Sequence, residues 1–101
     1  MIDYSKITGF DWDEGNINKN WQKHKVSMFE CEEVFFNSPP FLFEDIRHSQ
    51  YEKRYYIIGE TNERKNLYII FTLRKNKIRI ISARNMHKKE IEFYYKNRLN
   101  E

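Results

Sequence analysis

One cysteine, two prolines and three glycines in 101 residues leave few ways to staple or bend this chain. The lone Cys31 excludes an internal disulfide framework and fits a reducing compartment. No apolar stretch approaches the roughly 20 residues of a membrane-spanning helix. Residues 1–10 carry Asp3 and Lys6 and no long apolar block, so no signal peptide is expected and the chain reads as soluble and cytoplasmic. Repeats, low-complexity tracts and linkers are missing. His24, His48 and His87 do not form a metal spacing, and there is no His-Glu-x-x-His, cysteine pair or acidic calcium loop. No metal or cofactor is expected. A glycine-rich phosphate loop is lacking as well.

What is present is aromatic and charged. Phe, Tyr and Trp make up 17% of the residues, a share that argues for a packed core. The length suits one domain over residues 1–101. The net charge is +3, but it is unevenly spread. Residues 1–45 hold nine acidic side chains and four Lys, whereas residues 46–101 hold fourteen Lys and Arg, with all seven Arg, against six acids. A basic half suits phosphates or an acidic protein, and is equally compatible with an ordinary solvated surface.

Phe10-Asp11-Trp12-Asp13 alternates apolar and acidic, as a short strand would. Asp13 can cap a helix to about His24, with Ile17, Trp21 and His24 on one face. Ser27 and Glu30 form a capping box for a second helix that turns Cys31, Val34 and Phe35 inward and ends before Pro39-Pro40. Trp12, Trp21 and Phe35 read as core. The period then changes. Residues 55–58, 67–72 and 78–82 are β-branched and aromatic, separated by polar turns, and predict an antiparallel meander with a weaker strand at 41–44. From about Met86 the pattern is helical again, with Ile91, Tyr95 and Leu99 as its stripe. The fold class is therefore α+β: a short N-terminal strand, two helices, an antiparallel sheet of three to four strands, and a closing helix. The helices are expected on one sheet face.

Two segments can carry chemistry. In Arg79-Ile80-Ile81-Ser82-Ala83-Arg84, strict alternation puts Arg79 and Arg84 on opposite faces. An Arg in an apolar strand needs a carboxylate, such as Glu52 or Glu90, or an anionic ligand. Arg84 should meet the start of the last helix, a corner favourable to phosphate. The second segment is 45–54, where Glu52 or His48 could transfer protons and Arg54 could stabilise the developing charge in RNA phosphodiester cleavage. A charged hairpin edge explains the same residues.

The ordered set of Phe10-x-Trp12-Asp13, Asn20-x-x-Lys23-His24-x-Val26-Ser27, Val34-Phe35, Asp45, His48, Glu52-x-Arg54, Gly59, Thr72-x-Arg74, the 79–84 strand, Glu90 and Tyr94 resembles the BrnT-type ribonuclease toxins of bacterial type II toxin–antitoxin systems. The resemblance implies a compact RelE-like fold and metal-independent endonucleolytic cleavage of RNA. It also implies a BrnA-type antitoxin, a heterotetramer with that antitoxin, and promoter DNA bound only through it. Carried over residue by residue, it places Glu52, Arg54, Arg79, Arg84 and His48 in the catalytic site, with Arg74 and Thr72 binding substrate. The sequence departs from the family at Lys25, where Gly is usual, and at Cys31 and Met86, where small residues stand. A non-catalytic nucleic-acid-binding or antitoxin-binding module is the alternative, and the last helix's Phe93 and Tyr94 are either core or an antitoxin surface.

Overall fold

In a computed structural model of the chain, residues 4–37, 41–46 and 51–98 are described. His48, Pro39-Pro40 and Leu99 lie outside them. The order is a 3-10 turn (Tyr4–Lys6), β1 (Gly9–Phe10), α1 (Glu14–His24), α2 (Met28–Asn37), β2 (Phe41–Glu44), β3 (Arg54–Glu60), β4 (Asn66–Arg74), β5 (Lys77–Asn85) and α3 (Lys88–Arg98). The strands form one five-stranded sheet in the order β1-β5-β4-β3-β2. β2 to β5 are the expected meander. β1 differs from the all-antiparallel expectation, since it pairs parallel to β5 through Gly9–Lys77 and Phe10–Ile78.

The helix starts follow from local chemistry. Asp13 accepts a 2.8 Å bond from the Asn16 amide and caps α1. Ser27 Oγ accepts from Glu30 N at 3.1 Å while Glu30 Oε1 accepts from Ser27 N at 2.9 Å, so the capping box forms. α1 ends at Lys25, a non-glycine residue in the left-handed region at φ 56°. The β4–β5 hairpin turns on Lys75 and Asn76, both at positive φ, which matches the right-handed twist of the strands it joins.

One face of the sheet carries the main core, where Cys31 and Val34 of α2 pack on Tyr55, Ile57, Leu67, Ile69, Phe71, Ile80 and Ala83. Burial among apolar groups pushes the Cys31 thiol up to about 12, so it is an inert filler. α3 lies on the opposite face, not beside the other helices, and packs through Met86, Ile91 and Tyr94 against Phe41, Ile58 and Tyr68. Its buried residue is Tyr94; Tyr95 of the expected stripe is exposed.

α1 also departs from expectation, because Trp21 is 50% exposed and the helix buries Asn20 instead. The reason is that α1 covers the edge of β5 and not a sheet face. Asn20 Oδ1 accepts from Ala83 N at 3.1 Å, Asn16 Nδ2 donates to Ile80 O at 2.6 Å, and Lys19 Nζ donates to Ile81 O at 3.4 Å. These side chains satisfy main-chain groups that an open strand edge would leave to another chain.

β5 contains one surplus residue. Phe71 pairs with Ile80 and Ile70 with Ser82, which leaves Ile81 as a bulge. Arg79 opposite Thr72 and Arg84 opposite Tyr68 consequently share a face, four residues apart on β4. This corrects the alternation that separates them.

Candidate functional site

The shared face carries a solvent-open cavity of about 410 Å³ beside the start of α1. Arg79 comes from β5, Arg54 from the first position of β3, Arg74 from the last position of β4, and Glu52 from the segment before β3. Thr72 sits in register between Arg54 and Arg79. Lys19 and Asn16 of α1 complete the wall with Asp13. Four cations therefore line the cavity against two carboxylates. The positive end of α1 adds to that field.

The charges are organised in pairs. Arg74 and Glu52 make a two-pronged contact, Nε to Oε2 at 2.8 Å and Nη2 to Oε1 at 3.1 Å. Arg74, helped more distantly by Arg54 and Arg79, holds the Glu52 carboxyl below its usual range. Arg79 Nη2 donates to Asp13 Oδ2 at 2.8 Å, and Asp11 stands 3.6 Å from Nη1. The Asn16 amide first and Arg79 second keep Asp13 ionised below the ordinary carboxylate range. The partner of Arg79 is thus neither Glu52 nor Glu90. The acidic residues beside Trp12 are a visible signal, but only the parallel β1–β5 pairing brings them to β5.

Two predicted site residues are placed differently. The Thr72 hydroxyl is buried and donates to Lys53 O at 2.7 Å, so it fixes the backbone just ahead of Arg54. Arg84 lies roughly 13 Å along the strand from Arg79, at the far end of the same face. Glu90 grips it with bonds of 2.8 and 2.9 Å and also accepts from His87 N at 2.7 Å. The phosphate-friendly corner before α3 is thereby filled by the protein's own carboxylate. Lys19 and Asn16 were not anticipated. Their spacing places them on one side of α1, which becomes informative only once that helix is known to line a strand edge.

A cavity in which four cations outnumber two carboxylates suits an anionic phosphodiester. The family model for the BrnT ribonuclease toxin of type II toxin–antitoxin systems matches residues 12–90. This chain belongs to the BrnT family. The matched span contains every cavity residue and the Arg84–Glu90 pair. No curated protein matches the chain. Membership in BrnT makes the chain a ribonuclease toxin by family and a protein antitoxin its expected type of partner. Among the described residues of this BrnT chain, no helix is long and apolar enough to cross a membrane.

Proposed function

We propose that this chain is an endoribonuclease that cuts RNA in the cavity between Glu52, Arg54, Arg74 and Arg79. The convergence of three Arg side chains on one open cavity around a carboxylate carries this reading. A phosphodiester entering the cavity competes with Glu52 for the Arg74 guanidinium. Release from Arg74 lifts the Glu52 pKa from its lowered value, so substrate binding creates the base. Glu52 then takes the proton of the 2′-hydroxyl. The 2′-oxygen forms a bond to phosphorus and the bond to the 5′-oxygen breaks, leaving a 2′,3′-cyclic phosphate and a 5′-hydroxyl. His48 is the candidate donor of the proton to the leaving oxygen. Arg54 and Arg79 face the charge that grows on the phosphoryl oxygens. Arg84 stands outside this group. A BrnA-type antitoxin would silence the toxin by assembling with it as a heterotetramer whose promoter binding resides in the antitoxin.

Gel analysis of RNA cut by purified wild type, Arg54→Ala, Arg79→Ala and Glu52→Gln tests the reading, with thermal melts alongside because Arg79 also ties down Asp11 and Asp13. Loss of one charge-stabilising donor is expected to lower kcat by about 100- to 1,000-fold. Full cleavage by folded Arg54→Ala and Arg79→Ala proteins would refute the proposed site. Binding of RNA by the wild type with no cut products would make the chain a binding module.

A further inference from the structure

A second cavity lies on the same sheet face, between the strands and α3, and the function proposed above does not use it. Its volume is about 460 Å³, within the range of small-ligand clefts. One wall is a row of rings crossing three strands. Phe43 stacks on Tyr56 at 4.9 Å and 24°, and Tyr56 stacks on Tyr68 at 5.2 Å and 17°. The Arg84 guanidinium lies over Tyr68 at 4.1 Å and extends the row to β5. Glu90 locks that guanidinium through its two bonds. The opposite wall is Phe93, 6.1 Å from Phe43 and tilted by 59°. It leaves a large ring 45% exposed, with Lys89 at the rim. This differs from the sequence reading, which took Phe93 together with Tyr94; only Tyr94 is buried.

The cleft adjoins the cationic cavity. Tyr56 and Arg54 are two residues apart on β3 and point the same way, a step of roughly 6.6 Å. Along β3 and β4 the face therefore presents a ring and then a cation, Tyr56 before Arg54 and Tyr68 before Arg74. A single-stranded nucleic acid has that layout, with flat neutral bases displaced to one side of a charged backbone. The faces of Tyr56 and Tyr68 are taken up by their neighbours in the row, so Phe93 supplies the open ring on which a base stacks while the row, fixed on strands, forms a wall that loses little freedom on binding. Burial holds the Tyr56 and Tyr68 phenols above their usual range, so both hydroxyls keep protons for a base edge.

We propose that the cleft between Tyr56, Tyr68 and Phe93 receives a base of the RNA strand next to the phosphate held by Arg54 and Arg79, and sets the sequence preference of cleavage. The proposal rests on the ribonuclease reading for the identity of the strand. It gives Arg84 the role of a positioning residue for the ring row.

Two measurements separate this proposal from that reading. Kinetics and sequencing of cut ends compare wild type with Phe93→Ala, Tyr68→Leu and Arg79→Ala. In parallel, NMR follows the ring protons of the cleft while 2′-O-methyl trinucleotides of varied sequence are added; these cannot cyclise and so are not cut. Phe93→Ala is expected to raise KM and weaken trinucleotide binding by about 5- to 150-fold, the loss for one stacked base, and to flatten the base preference beside the cut. Arg79→Ala should act mainly on kcat and keep the preference of any residual cleavage. Wild-type KM and preference in both folded cleft variants would overturn the cleft and leave the ribonuclease standing. A wild type that cuts no RNA, but whose cleft ring signals move with the trinucleotides, would keep the cleft and remove the nuclease. Ring signals that respond to the antitoxin and never to the trinucleotides would make this a protein-docking surface and end the proposal.

Discussion

Replacing Asn20 by Ala removes the acceptor that holds α1 on the edge of β5. Asn20 Oδ1 meets Ala83 N at 3.1 Å, and Ala83 is fully buried, so its N–H is left without a partner. A buried donor stranded in this way costs about 1–3 kcal/mol. Alanine recovers about 0.5 kcal/mol through its better helix propensity. The net loss is about 0.5–2.5 kcal/mol, which for a domain of this size lowers Tm by about 2–12 °C. Thermal and urea unfolding measure the loss, and hydrogen exchange at the Ala83 amide locates it. Asn18→Ala, an exposed change in the same helix, serves as the control and should be neutral or slightly stabilising. An Asn20→Ala protein that melts with the wild type, or whose Ala83 amide exchanges at the wild-type rate, would refute the edge-capping argument.

The remaining predictions concern charge and backbone strain. Arg84 chiefly, then the His87 amide, lower the Glu90 pKa from 4.5 against the opposing effect of burial. A carboxyl depressed in the folded state stabilises above its unfolded value and loses that contribution as pH falls through the folded one. Urea titrations should therefore find Glu90→Gln less stable than wild type near neutral pH, with the gap closing below about pH 4.5; a constant gap across that range contradicts the assignment. Lys25→Gly relieves a left-handed residue at φ 56°, a conformation that costs about 1–2 kcal/mol for a side-chain-bearing residue. Glycine's larger unfolded entropy returns about 0.5–1 kcal/mol of that, and Lys25 also gives up its contact over Trp21. A net gain of about 0.5 kcal/mol is expected in a thermal melt, and a lower Tm would show that the Trp21 contact outweighs the strain.

Local chemistry was readable wherever the partners are close in sequence. Asp13 capping α1, the Ser27–Glu30 box, the strand at 41–44 and the meander all depend on neighbours a few residues apart. The need of Arg79 for an anion was equally plain from the apolar residues around it. Which anion supplies it was not, because Asp11 and Asp13 reach β5 only through a parallel pairing 68 positions long in sequence separation. Periodicity misplaced α1 for a related reason. It assumes that a helix buries its oiliest stripe, yet this helix buries an amide to satisfy a strand edge. The site was half legible. Residue chemistry singles out Glu52, Arg54 and Arg79, and Arg74, named only through the family resemblance, joins them in the cavity, while the pairing of Arg84 with Glu90 depends on where α3 begins relative to the end of β5.

The bulge at Ile81 makes β5 a matter of parity. With all six residues from Arg79 to Arg84 in unbroken alternation, Arg84 would point among Leu67 and Ile69, and Ala83 would take its place outside. Because Ile81 stands outside the ladder, both guanidiniums reach one surface. Dropping one codon between them would leave a regular strand with both arginines still on that surface. Adding one would call for a second absorbed residue, or would turn the polar skin and the oily lining beyond it into each other.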